Sequence, residues 1–350
     1  LISSAARELL DSRAAGAGAR AVSGGTGGFS AGLWKEMVEL GWTGLALPES
    51  FGGVGEGFLE LCLVLEELGR VRVPTPLAAT AACCGLPLLS VGTEAQKSEW
   101  LGAITEGRIM SYAVSGAPGG GDVVAERSGD GLVLDGEAPF VPYADAAGQL
   151  LVTARSGAGG PVAAIVDTAA PGVSREPLDV VGDPASRVRF SRVAVPADRV
   201  LPGGAAGAVT AYGTAALCAE MVGGAQGVLD LTVAYARERE QFGTPVGAFQ
   251  AVAHHCANMA IDVLASRFIA YEAIWRLASG AAADAELPVA KAWVSDAYQR
   301  VCALGHQVHG AIGFTAEHDL HYYTRHAMSS ALTFGDAAFH TGRIADALMG

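Results

Sequence analysis

Charge is scarce in this chain: only 17% of its 350 residues are Asp, Glu, Lys or Arg. What charge there is leans acidic, with 36 acids against 23 bases and a formal net charge of −13. Without a basic stripe, the phosphates of a nucleic acid would find no counter-charge. Cysteine is equally sparse, at positions 62, 83, 84, 218, 256 and 302, with no C-x-x-C pair to hold zinc or act as a redox couple. Several of the six sit in apolar runs such as "ELCLVLEEL" and "AALCAEMV", where they read as small core residues of a reducing compartment. Missing too are the Walker phosphate loop, the G-x-G-x-x-G dinucleotide fingerprint and the H-E-x-x-H metal motif. The start of the chain shows no signal-peptide pattern, and no uncharged apolar run is read as long enough to cross a bilayer. The expected location is cytoplasmic, and no nucleic-acid or membrane partner is expected.

What is present is apolar content of 51%, which supports a large core, and a length that exceeds one ordinary core. Three regions of different kind follow one another, without an internal repeat. Residues 1–109 read as helices. In "LWKEMVELGWTGLALP", Leu33, Met37, Leu40 and Leu45 stand near helical spacing before Gly41 and Pro48 punctuate; "FLELCLVLEELGRV" and "EAQKSEWLGAITEG" are two more helices. "AGAGARAVSGGTGG" reads as a loop. Residues 110–204 change to short β-branched runs ("YAVSG", "LVLDGE", "QLLVTARS", "VAAIVD", "RVRFSRVAVP") between Gly, Asp and Pro turns, which predicts an antiparallel β domain, a barrel or sandwich. Residues 205–350 are helical again. Apolar residues at 249, 252, 256, 259, 263, 264, 268, 271 and 275 recur in steps of three and four, predicting one long core-facing helix. The flanking runs 211–238 and 286–310 look alike, and together they predict a four-helix bundle.

Few residues carry chemistry on their own. His306 with His309, and His318 with His321, have turn spacing, and Glu317 could make "EHDLH" a metal site. No third ligand is obvious, so polar residues at a helix end or interface are the favoured reading and no metal is expected. Glu220, alone in "LCAEMVGG", could be a buried base, but a helix carboxylate with a polar partner is the favoured reading.

Three segments, "LWKEMVELGWTGLALPESFGGVG", "REQFGTPVGAFQAVAHHCANMA" and "HQVHGAIGFTAEHDLHYYTRHA", resemble the acyl-CoA dehydrogenase family in order and spacing. The resemblance covers nearly the whole chain. It implies a mainly α fold with a middle β domain: an N-terminal helical domain, a β-barrel or sandwich, and a C-terminal four-helix bundle. It also implies an FAD enzyme, usually tetrameric, in which a carboxylate removes the α-proton of an acyl-CoA while the β-hydrogen leaves as hydride to the flavin. An electron-transfer flavoprotein is the implied acceptor. In the family the R-x-x-F-G arginine reaches the pyrophosphate of FAD seated in the neighbouring subunit, and Arg239 matches it. Gln241 and Phe242 match flanking positions on the adenosine half. Gln307, Gly310 and Ala311 match a second cross-subunit element, with Ala311 in place of a glycine.

The same comparison shows departures on the side a subunit keeps for its own flavin. The family's Y-x-V-T-E-P-G-A-G-S-D reads "YAVSGAPGGGDVV": Ser115 can replace the threonine, but Gly121 stands where a serine bonds pyrophosphate, and Pro118 displaces a glycine. The aromatic-Ile-Thr-Asn run reads "FVPY": Phe140 keeps the aromatic wall, and Pro142 has neither hydroxyl nor N–H. The catalytic glutamate of the Y-E-G-T motif aligns with Phe334 in "TFGD", and the alternative base position on the first bundle helix aligns with Gly213. No catalytic residue is therefore assigned; Asp336 would serve only if the alignment slips by two. The leading expectation is the non-catalytic partner in a heterotetramer with a homologous subunit. A complete homomeric enzyme using Asp336 or Glu220, and a structural or CoA-binding paralogue, stay open.

Overall fold

A computed structural model describes residues 2–14, 28–116, 121–157 and 160–349. Most of the "AGAGARAVSGGTGG" run, and Pro118, lie outside them. The chain folds as two compact units, one of residues 1–23, 62–73 and 215–350, the other of 24–61 and 74–214.

In the second unit, α2 (Ala31–Glu39) starts where the Ser30 hydroxyl accepts the Leu33 N–H at 3.2 Å. Met37 is buried, whereas Leu40 is half exposed. α3 (Phe58–Val71) follows, its residues from 62 onward belonging to the first unit; the second continues with a π-helical stretch Ala78–Gly85 leading into α4 (Leu86–Val91), and α5 (Glu94–Thr105). α5 opens with a capping box: Thr93 and Gln96 each bond the other's backbone N–H. The π-helical turns lie against the first strand, β1 (Met110–Ala113), where the Thr80 hydroxyl donates to Met110 O at 2.8 Å.

Six more strands complete one sheet: β2 (Asp122–Ser128), β3 (Gly131–Pro142), β4 (Gln149–Ser156), β5 (Gly160–Asp167), β6 (Val173–Leu178) and β7 (Ala185–Val195). The order is β1-β4-β2-β3-β7-β6, with β5 on β4. The expected all-antiparallel pairing needs correction, since β4 pairs in parallel with both β1 and β2. β1 arrives straight from the helices rather than through a hairpin, so it takes the direction its entry dictates. Alternate residues of the strands, among them Val123, Leu134, Val152, Val166 and Phe190, share one apolar core.

In the first unit, α6 (Ala205–Glu238, from residue 215 onward), α7 (Gln250–Ala278), α8 (Glu286–His309), α9 (Leu320–Leu332) and α10 (Ala337–Met349) join α1 (Ile2–Ala14). By length and composition α6 is long and apolar enough to cross a membrane, which corrects the sequence expectation. Its most apolar window is 56% buried inside the protein, as in a core helix.

α7 departs further from its pattern. Met259, Val263, Ser266, Ala270, Ala273 and Ile274 form its buried face. Phe249, Leu264, Phe268 and Trp275, read from sequence as part of one core stripe, are exposed, and Ile261 joins them. Apolar residues ring this helix, and a periodicity count cannot tell its two faces apart.

α1 is tied to α3 through Glu67, which is almost fully buried. Arg7 pairs with it at 2.7 Å and Arg70 at 2.7 Å, and the Ser3 hydroxyl donates to it at 3.2 Å. Burial alone would raise the Glu67 pKa; the hydrogen bonds from Arg7 and Arg70 outweigh it and hold the carboxyl below the usual range. A carboxyl held low stabilises the fold above its ordinary titration range and loses that contribution as pH falls through the lowered value. Glu67→Gln should therefore lower stability by about 2–3 kcal/mol at neutral pH. In urea titrations the gap to the parent chain should close as pH drops below the carboxylate range, and a constant gap would contradict the pairing.

Candidate functional site

Arg239 continues the last turn of α6, its N–H donating to Tyr235 O at 2.8 Å. A two-stranded ribbon follows, with Glu240 opposite Pro245 and Gln241 opposite Thr244. Between the strands, Phe242 (φ +55°) and Gly243 (φ +78°) both take the left-handed region, as a two-residue type I′ hairpin requires. Glycine adopts this freely; phenylalanine does so against steric resistance. Phe242 is also 95% exposed, meeting Phe249 edge-to-face with ring centroids 6.2 Å apart. The Arg239 side chain is exposed and makes no hydrogen bond or ion pair among the described residues. A strained, uncovered aromatic beside an uncommitted guanidinium is a contact surface rather than a piece of core.

The second predicted element closes α8. Its last residue, His309, stacks on Tyr235 with ring centroids 4.5 Å apart, and the Tyr235 hydroxyl donates to His309 O at 3.5 Å. Tyr235 lies one turn before Arg239, so this stack brings the two predicted segments to one end of the helices. Gln307, Gly310 and Ala311 are exposed and line an open groove of about 610 Å³ between α8 and α9, together with His306, Phe314 and Thr324. Arg239, Gln241 and Phe242 are not in its lining.

Each histidine of this region has one ring nitrogen on a local group. The Thr324 hydroxyl donates to Leu320 O, so it accepts from His306 Nε2 at 2.8 Å. His309 Nδ1 donates to Gly305 O at 2.8 Å, and His318 Nδ1 accepts the Leu320 N–H at 3.1 Å. His321 Nε2 lies 3.4 Å from Ala316 O. Burial first, then neighbouring imidazoles, lowers the His306 pKa; burial and His318 lower that of His309 against the Gly305 hydrogen bond. Among the described residues no group of three His, Cys, Asp or Glu could hold a metal, Glu317 included.

The residues on the other side of the sequence comparison are turned inward. Ser115 N–H donates to Thr153 Oγ1 at 2.9 Å, and its hydroxyl accepts from Val123 N–H at 3.0 Å with Gly121 O 3.1 Å away. At Gly121 there is no room for a side chain, since a Cβ would stand 2.2 Å from Glu137 O and 2.7 Å from Ala138 Cα. The Ser111 hydroxyl donates to Pro142 O, and Tyr143 N–H to Pro184 O at 3.0 Å. Phe140 alone of this set is exposed, at 60%.

Neither aligned base position offers a carboxylate. Gly213 is a buried residue of α6, on which Glu220 is half-buried. Phe334 is buried in the α9–α10 turn with φ +60°. Asp336 is exposed and caps α10, its Oδ1 accepting the Phe339 N–H at 2.8 Å. Around the turn stand two groups the sequence reading missed. Lys291 donates to Ala331 O (3.1 Å), Gly335 O (2.9 Å) and Ser295 Oγ (3.1 Å). His340 meets Phe334 O at 3.0 Å. A lone lysine inside "PVAKAWV" was the available signal for the first.

The family model "Acyl-CoA dehydrogenase, N-terminal domain" matches residues 1–108, and "Acyl-CoA dehydrogenase, C-terminal domain" matches residues 205–349. "Acyl-CoA dehydrogenase FadE27" of Mycobacterium tuberculosis is 32% identical over 328 residues, covering 90% of this chain and 87% of that protein. Among solved structures, a variant of the "Tcur3481-Tcur3483 steroid ACAD" superposes with a TM-score of 0.92 at 32% identity, covering 99% of this chain and 96% of the other. The "ChsE4-ChsE5 complex from Mycobacterium tuberculosis" gives 0.94 at 28% identity, with 99% and 96% covered.

The Phe-Gly hairpin supplies a first check. Phe242→Asn restores the Asn-Gly pair that this turn favours and removes little packing, so stability should hold or rise by up to about 1 kcal/mol. Thermal unfolding of the isolated chain measures it; a clear loss would show that Phe242 is covered rather than exposed.

Proposed function

Because this chain belongs to the acyl-CoA dehydrogenase family, we propose that it is the non-catalytic partner in a heteromeric acyl-CoA dehydrogenase, lending FAD contacts to a homologous subunit that holds the base. The family's cofactor is FAD, and its substrates are acyl-CoA thioesters. Bound FAD supplies the hydride acceptor. The residues of this chain divide clearly in their fit to it. Arg239 offers an exposed guanidinium whose planar fork suits phosphate oxygens. Phe242 offers an exposed ring, and Gln241 an exposed amide whose Nε2 donates to Glu240 O at 2.7 Å. Gln307, Gly310 and Ala311 offer an open groove.

On the chain's own side the fit fails. The observation that carries the proposal is at Gly121, where the backbone of Glu137 and Ala138 occupies the space a pyrophosphate-binding serine needs. Pro142 has no donor to give. Phe334 replaces the base, and Asp336 is engaged as a helix cap, which weakens the reading of a self-sufficient enzyme. Two of the structural neighbours have names that join two different chains, and one is called a steroid ACAD. Those names support a heteromer, and a bulky steroid-derived acyl group as the class to try first. An electron-transfer flavoprotein as acceptor and a reducing, cytoplasmic setting complete the proposal, the latter supported by six free cysteines.

The water-facing side of α7 supports assembly: Ile261, Leu264, Phe268 and Trp275 run along it at helical spacing, each at least half exposed. Phe268→Glu should convert the co-expressed assembly to smaller species in sedimentation, and an intact assembly would remove α7 from the interface. For the cofactor, Arg239→Glu should weaken FAD binding by about 30-fold or more, the scale of a lost and reversed charge-assisted contact. Flavin absorbance per assembly reads this out. Unchanged occupancy, or one FAD per subunit with turnover in the chain purified alone, overturns the proposal.

A further inference from the structure

The α9–α10 turn, Leu332 to Asp336, is held by buried side chains from other elements. Phe334 and Gly335 both have positive φ, +60° and +99°. A helix end leaves its last carbonyls without intrahelical donors. Here Lys291 of α8, wholly buried, donates to Ala331 O and Gly335 O, while His340 of α10, 1% exposed, meets Phe334 O at 3.0 Å. A carbonyl only accepts, so His340 Nε2 carries the hydrogen and the neutral ring has a bare lone pair at Nδ1. That Nδ1 is buried and has no hydrogen-bond partner among the described residues. A proton placed there would be an N–H donor with nothing to receive it.

We propose that Lys291 and His340 form a buried latch on this turn, and that proton uptake by His340 opens it. The surroundings favour opening over accommodation. Lys291 of α8 and Arg343 of α10 place positive charge near the ring, and Asp336 in the turn is the opposing acid. Lys291 in turn faces Cys218 of α6, Asp336 and, on its own helix, Asp296. Burial pushes Lys291 down to about 8, so it is still a cation at neutral pH. Burial, then Lys291 and Arg343, push His340 down to about 4, against the Phe334 hydrogen bond and Asp336. With the group lowered in the closed form, closure is fully favoured above the ordinary histidine value of about 6.5 and is lost as pH falls from there toward the lowered one. The latch does not depend on which chain holds a cofactor.

From an open-state value of about 6.5 and a closed-state value of about 4, the opening equilibrium should rise about 20-fold between pH 7 and pH 5. Hydrogen exchange on the full chain, alone or in its assembly and corrected for the intrinsic pH dependence, should show that loss of protection in peptides spanning 331–340. His340→Gln keeps a donor for Phe334 O without titrating, and its protection should stay flat. Equal protection of the parent chain at both pH values, or an equal loss in H340Q, overturns the proposal. Should H340Q fold poorly, nitrogen NMR of labelled histidine in the parent chain decides. A His340 ring neutral down to pH 5 agrees, and one that protonates near pH 6.5 while the turn stays protected overturns it.

Discussion

The stack of Tyr235 on His309 fixes what the exposed end of the helices can present. It joins the last turn of α6 to the last residue of α8, with a hydroxyl-to-carbonyl bond beside the ring contact. On one side of it the chain runs into the Arg239 ribbon; on the other it runs into the turn with Gly310 and Ala311. Neither segment has much core of its own. The pair joins them at their base, with His309 Nδ1 bonded to Gly305 O; the second segment is held further by the His306–Phe314 stack at 4.4 Å.

The two sides of the cofactor question differ in how deeply they are built. Outward residues are single side chains on a well-supported end. Inward residues are enmeshed in the backbone: the Ser115 hydroxyl holds the Val123 amide, Pro142 O takes the Ser111 hydroxyl, and Gly121 lies against Glu137 O. A serine at position 121 would require the neighbouring strand to move, so the glycine there is set by the sheet and not by one side chain.

Helix-by-helix organisation was legible because burial follows a 3.6-residue period, and the middle β region because short β-branched runs alternate with turn residues. Arg239, Gln307 and their neighbours were singled out by motif spacing, and the structure leaves Arg239 and Gln307 exposed. Less was visible where contacts join distant positions. Lys291 bonds carbonyls 40 and 44 residues away, and no local pattern announces such a bond. β4 pairs in parallel with β1 and β2, which strand-by-strand reading has no means to see. The two faces of α7 failed for a third reason: Val263 and Leu264 are adjacent and equally apolar, yet one is buried and the other half exposed.

That second face of α7 bears on how the protein is made in the cell. Uncovered, this face shows water a row of large side chains that includes Phe268 and Trp275. Surfaces of this kind draw chaperones, proteases and unwanted self-association. With the proposed partner chain covering this face, supply of this polypeptide would need to match supply of that partner in time and amount, and any surplus would be short-lived.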